Sequence, residues 1–311
     1  NGQRRIMVDL KYLDRIRLSG RPLCQRFIAA VWLTANYKVF SRVEIVIEGI
    51  ENIPRDETVI FAMNHTDRFN YWPFQYSLWE KKYMFTTVWV KGKYYKNALL
   101  ARALDSCNLI PVPSMKYLIE EFYKLRFRKR INDSDYRALK DFIDGKIKSG
   151  AGLAAETKTL IKENFAEFIQ NYHEKVMEKV ASLSLKALFE QKLNLIIFPE
   201  GTRSLQLADG RTGLAQLALL TGKKVVPVGC NNSENVYTSS LPIAKTGKIV
   251  YRVGEPISVC DRLGPFRIEE EFKPFCLQSQ KRFKEQFEGA TRIVMESIGK
   301  MVDEKYKKYI S

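Results

Sequence analysis

Two short apolar runs lie far apart in this chain, and each stops abruptly at a loop rich in reactive side chains. The first, Thr58-Val59-Ile60-Phe61-Ala62-Met63, opens into Asn64-His65-Thr66-Asp67-Arg68-Phe69-Asn70-Tyr71-Trp72. The second, Leu195-Ile196-Ile197-Phe198, ends in Pro199-Glu200-Gly201-Thr202-Arg203-Ser204. Apolar runs this short, closed by turn residues, read as β-strands. Further strand candidates are the alternating segment 42–48, then 86–90, 109–112, 224–228 and 248–253. Helical periodicity falls between them. This alternation predicts an α/β fold: a mixed, partly parallel sheet flanked by helices.

The chain divides by pattern. Residues 1–41 read as a basic helical segment. Residues 42–113 and 192–311 read as two parts of one core, the last closing in a helix from about Phe266 to Tyr309. Between them, 114–191 reads as a long helical insertion. There Leu160, Ile161, Phe165, Phe168, Ile169, Tyr172, Val176, Val180 and Leu183 recur at helical steps. Ser149-Gly150-Ala151-Gly152 is expected to be the turn joining its halves.

A formal charge of +16 implies an anionic partner. Nucleic acid is disfavoured, because even the basic run Lys124-Leu125-Arg126-Phe127-Arg128-Lys129-Arg130 belongs to no recognised nucleic-acid module. No apolar run is long enough to span a bilayer. The stretch from Phe27 to Phe40 is apolar and aromatic, flanked by Arg15, Arg17, Arg21 and Arg26. It suits either a helix lying in a membrane interface or a buried core helix. The five cysteines, Cys24, Cys107, Cys230, Cys260 and Cys276, are scattered and without a Cys-x-x-Cys pair. They argue for a reducing compartment and against a metal site or disulfide framework. With no signal-peptide pattern at the start, a cytoplasmic location is expected.

His65 is one of two histidines. An imidazole can take a proton from a hydroxyl near neutral pH, provided a partner holds its other nitrogen; Asp67 and Asn70 both lie near enough. His173, on the insertion helix, reads as a surface residue. In the second loop, Gly201 allows backbone N–H groups close to an anion, and Arg203 offers a planar fork suited to phosphate.

Together, Asn64-His65 with a polar residue at Asn70 and the seven residues Phe198-Pro199-Glu200-Gly201-Thr202-Arg203-Ser204 resemble the glycerolipid acyltransferase family typified by lysophosphatidate acyltransferase. That family carries His-x4-Asp and Phe-Pro-Glu-Gly-Thr-Arg-Ser. The run 48–54 resembles its lead-in to the histidine motif, Val225-Val226-Pro227-Val228 its apolar fourth motif, and Lys91 a basic position of its second.

The resemblance implies a peripheral membrane O-acyltransferase of phospholipid biosynthesis, acting at the cytoplasmic face of a membrane. His65 would be the general base, oriented by Asn70 or, as a rival, Asp67. Glu200, Gly201, Thr202, Arg203 and Lys91 would bind the acceptor phosphate, and Val226 and Pro227 would lie in the acyl-binding region. The donor would be acyl-CoA or an acyl carrier protein thioester, with no cofactor and no metal. The acceptor would be lysophosphatidate, or alternatively glycerol-3-phosphate or another lysophospholipid.

Three departures matter. Asn70 stands where the family has Asp, which raises the alternative of a weak or inactive lipid-binding relative. The strand at 109–112 lacks the second motif's arginine. The insertion is longer than the family core needs, and reads as a cap, a membrane-contacting arm or an oligomer interface.

Overall fold

The computed structural model describes residues 7–147 and 153–307. Two compact units are present. The smaller comprises the chain up to Ile16, Val90–Arg102 and Pro111–Val180; the larger comprises Arg17–Trp89, Ala103–Ile110 and the chain from Ala181 on.

Seven strands form one sheet: β1 (Val43–Glu48), β2 (Ile60–Met63), β3 (Thr86–Lys91), β4 (Leu109–Val112), β5 (Asn194–Ile197), β6 (Val225–Asn231) and β7 (Gly247–Val253). Their order is β1-β7-β6-β2-β5-β3-β4. β2 runs parallel to both β5 and β6, β3 parallel to β5, and β1 parallel to β7; β6 and β7 are antiparallel. The expected mixed, partly parallel α/β sheet is therefore what the chain forms.

The central strands β2, β5 and β6 are buried along their whole lengths. That explains why their apolar residues run consecutively, as in Ile60–Met63 and Leu195-Ile196-Ile197, since central strands covered on both faces lose the alternation of a half-solvated strand. Full burial of each Ile, Val or Phe there contributes about 1.5–3 kcal/mol. The helix Lys284–Met301 packs on β6 so closely that a Cβ at Gly229 would stand 2.3 Å from the Met301 carbonyl oxygen.

The register has one consequence for chemistry. Ala62 of β2 lies opposite Ile197 of β5, so the two strands end side by side and their loops leave the sheet together.

Several expectations need correction. The C-terminal helix is shorter than read: the chain from Phe266 first passes through irregular backbone, then forms Leu277–Arg282 and Lys284–Met301. The periodic run through 160–183 is two helices, Ala155–Lys162 and Phe165–Leu185, broken where Asn164 takes φ 55°. Asn is among the few residues that adopt this left-handed conformation readily. The turn expected at 149–152 lies outside the described residues.

The basic run is also partly neutralised within the smaller unit. Arg126 pairs with Glu163 at 2.7 Å and Lys129 with Glu156 at 2.5 Å. The cysteines are less scattered than their spacing implies, for the Cys24 and Cys107 sulfurs approach to 3.4 Å.

His173 is half-buried rather than on the surface. Burial holds its imidazole below the ordinary 6.5, with the Glu174 charge opposing. The folded chain thus disfavours the protonated ring, while the unfolded chain accepts the proton as pH falls through about 6.5. The neutral ring's contribution to stability is complete above that pH and declines below it. Thermal unfolding from about pH 8 down to about pH 5 is expected to show this decline, and His173→Gln to flatten it. Equal slopes in the two proteins would contradict the assignment.

Candidate active site

The β2 loop and the β5 loop are joined through the main chain of His65. Its N–H donates to Glu200 Oε2 at 2.7 Å, and its carbonyl accepts from the Ser204 N–H at 2.9 Å. The imidazole stacks on Phe198, with ring centroids 4.1 Å apart and planes 22° from parallel. Two loops carrying different chemistry are thereby locked around one residue.

Behind the ring, His65 Nδ1 meets Asn70 Oδ1 at 3.3 Å. The direction of the Asn70 amide is set independently. Its Nδ2 donates to the Asn64 carbonyl at 2.8 Å, so its oxygen faces the imidazole. An oxygen there accepts, which places the proton on Nδ1 and leaves Nε2 with the basic lone pair. Asn64 is itself bolted to β6, donating to the Cys230 carbonyl at 3.0 Å and accepting from the Cys230 N–H at 2.7 Å. The Tyr251 hydroxyl donates to the Asn70 carbonyl at 2.5 Å. Asn70 and Tyr251 are fully buried, so this support is shielded from water.

Asp67 is differently employed. Its carboxylate accepts from the Phe69 N–H at 2.7 Å and the Thr66 hydroxyl at 3.3 Å, shaping its own turn. Burial pushes its carboxyl above the ordinary value. Between the two candidates left by the sequence, Asn70 is the one hydrogen-bonded to the ring.

The turn after β5 is closed by the Gly201 N–H donating to the Phe198 carbonyl at 3.0 Å. Gly201 has φ 67°, and a Cβ there would lie 2.9 Å from Arg211 Nε. Only glycine suits both the conformation and the approach. Thr202 and Arg203 are exposed on the turn.

Arg211 was not singled out by the sequence. The Arg211 N–H donates to the Pro199 carbonyl at 2.8 Å, which brings its exposed side chain over Gly201. Neither Arg203 nor Arg211 makes an ion pair among the described residues, so two guanidinium groups remain available around one turn. The only sequence signal was a basic residue after Gly210, just before the apolar helix Gly213–Thr221.

Glu200 has a different place from the phosphate-binding one expected. Its two oxygens accept from the His65 and Ala208 N–H groups, and burial raises its carboxyl above the ordinary value. It braces the loops instead of facing an anion. Val226 and Pro227 are buried within β6, their side chains part of the core. Lys91, the last residue of β3, belongs to the smaller unit.

Compared with known families, residues 44–231 match the model described as Acyltransferase, a span of more than half the chain that includes both loops. A comparison with curated proteins found no match. Among solved structures, the chain is similar to the 1-acyl-sn-glycerophosphate (LPA) acyltransferase PlsC from Thermotoga maritima. Identity is 16%, the likeness covers 88% of this chain and 94% of that one, and the TM-score is 0.40. A likeness of that order carries no argument about substrate, which rests on the chemistry of the site.

Proposed function

Because the chain belongs to the acyltransferase family, we propose that it transfers a fatty acyl group from an acyl thioester to the free hydroxyl of lysophosphatidate, with His65 as general base. The observation that carries this reading is the Asn70 amide. Its oxygen is turned to His65 Nδ1 by the Asn64 carbonyl, so an asparagine does the orienting work of a carboxylate. The same observation speaks against an inactive lipid-binding relative.

In this reading, His65 Nε2 takes the hydroxyl proton as the oxygen attacks the thioester carbonyl. The tetrahedral intermediate then expels the thiolate, which takes the proton back from the imidazolium. Ester and free thiol are the products, and no acyl-enzyme forms. Cys230 is no rival nucleophile: it is wholly buried, and burial pushes its thiol well up.

Arg203, Arg211 and the Gly201 turn would hold the acceptor phosphate, fixing its hydroxyl near His65. Hydrogen bonds to charged groups contribute about 1.5–3 kcal/mol. Arg203→Ala and Arg211→Ala are therefore each expected to raise KM for lysophosphatidate about tenfold or more. KM for a monoacylglycerol, which has no phosphate, should not move. Equal effects on both acceptors would contradict the assignment. A panel with glycerol-3-phosphate and other lysophospholipids, and with acyl-CoA against acyl carrier protein as donor, tests the substrates.

The helix across residues 23–40 supports action at a membrane surface. Ala29, Leu33, Asn36 and Tyr37 face the core, while Leu23 (74% exposed), Phe27 (67%), Val39 (68%) and Phe40 (71%) face out. Among the described residues, no helix is long and apolar enough to cross a membrane. The outward apolar side chains beside exposed Arg21 and Arg26 fit a helix resting in the interface of an anionic bilayer.

A further inference from the structure

A second apolar element lies beside that helix, on a segment outside all the motifs. The chain between the short helix Ser233–Val236 and β7 is irregular, and it presents Leu241 and Ile243 to solvent at 59% and 51% exposure. Single exposed apolar side chains are ordinary on a protein surface, and it is their grouping on one held segment that marks an interaction site.

Here the backbone is fastened on both sides of Ile243. The buried Asn36 side chain donates to the Pro242 carbonyl at 3.2 Å and accepts from the Ala244 N–H at 3.1 Å. The Ser41 hydroxyl donates to the Ala244 carbonyl at 2.5 Å. Asn36 and Ser41 flank Val39 and Phe40 in sequence, so these bonds seat the segment against the end of the helix that carries those two exposed apolar side chains. The cations there suit an anionic partner: Arg42 and Lys245 are exposed and make no ion pair among the described residues.

We propose that Leu241 and Ile243 form a second docking element that enters an anionic phospholipid bilayer together with the 23–40 helix. This deepens the membrane-surface reading above and rests on it. The segment also touches the catalytic loop. Arg68 Nη1 donates to the Ser240 carbonyl at 3.1 Å, and the Phe69 and Tyr237 rings lie 5.3 Å apart. The Tyr237 hydroxyl meets that of Tyr37, on the helix, at 2.5 Å. Docked side chains and the His65 loop therefore share one set of contacts, which would hold the site facing the lipid that supplies its acceptor.

The test is sedimentation of the full chain with vesicles of phosphatidylglycerol and, separately, phosphatidylcholine. Wild type is expected to bind the anionic vesicles more tightly. The double variant Leu241→Ser/Ile243→Ser is expected to lose about tenfold or more in affinity, and Leu241→Ser alone to lose part of that. Leu241→Met/Ile243→Met should bind like wild type, and all variants should keep their melting temperature, since the altered side chains are exposed.

Sedimentation needs no turnover, so loss of binding stands even if acyl transfer to lysophosphatidate fails. Serine variants that bind like wild type, or a wild type that stays in the supernatant, would overturn the proposal. Self-association weakened by the same serine substitutions would assign the surface to a second copy of the chain instead, and would overturn it equally.

Discussion

His65→Ala is expected to lower turnover by about 10²–10⁴-fold, the contribution typical of a positioned general base. The fold should survive, because the bonds that tie the two loops at this residue come from its main chain and from Glu200. The side chain's stacking on Phe198 and its hydrogen bond with Asn70 Oδ1 are lost, but neither joins the two loops' main chains. Circular dichroism and thermal unfolding should therefore change little while kcat collapses. KM for the acceptor should stay near wild type, since the phosphate is assigned to Arg203 and Arg211. A variant with wild-type turnover would remove His65 from the mechanism. A variant that unfolds would show the ring to be structural.

The second large effect is expected at Asn70. Asn70→Leu keeps a similar volume but removes both hydrogen bonds, leaving the imidazole without the partner that sets its tautomer. In a serine-protease triad, holding the wrong tautomer costs about 10⁴ in rate. Here the ring keeps its stacking on Phe198, and a fall of about 10²-fold or more in kcat is expected. The Asn64 carbonyl would also lose its donor in a fully buried place, at about 1–3 kcal/mol of stability.

Asn70→Asp restores the family's residue but not its benefit. One carboxylate oxygen would face His65, and the other would face the Asn64 carbonyl oxygen now held at 2.8 Å. Two acceptors opposed in a buried setting repel, so the variant is expected to be less stable and no faster. The comparison is read from kcat and melting temperature measured together. A clear rise in kcat for Asn70→Asp would show that the amide had been a handicap.

Much of this was legible in the chain, for identifiable reasons. β2 and β5 were readable because each carries a consecutive apolar run closed by turn residues, Ile60–Met63 in one and Leu195-Ile196-Ile197 in the other. The pairing of Ala62 with Ile197 was not, since parallel neighbours need no closeness in sequence. His65, Gly201 and Arg203 stood out by residue type within loops.

What the sequence could not supply was direction. The resemblance favoured Asn70 and left Asp67 as a rival; in the fold the Asn64 carbonyl fixes the Asn70 amide and the Phe69 N–H engages the Asp67 carboxylate. Glu200 read as part of an anion site because its backbone partners are set by the meeting of two loops. Arg211 was overlooked because its approach to Gly201 arises only when its own N–H is tied to the Pro199 carbonyl. The contact of Cys24 with Cys107 was hidden in the same way, by their separation in sequence.

The measurement that bears most directly on direct transfer at His65 follows the product and the protein's own mass during one experiment. Wild type and His65→Ala would be incubated with a long-chain acyl-CoA and lysophosphatidate in anionic vesicles, and samples quenched during turnover. The account predicts phosphatidate from wild type alone, with the intact protein mass unchanged throughout. Phosphatidate formed equally by His65→Ala, none formed by wild type, or a protein carrying one covalent acyl group during turnover would contradict it.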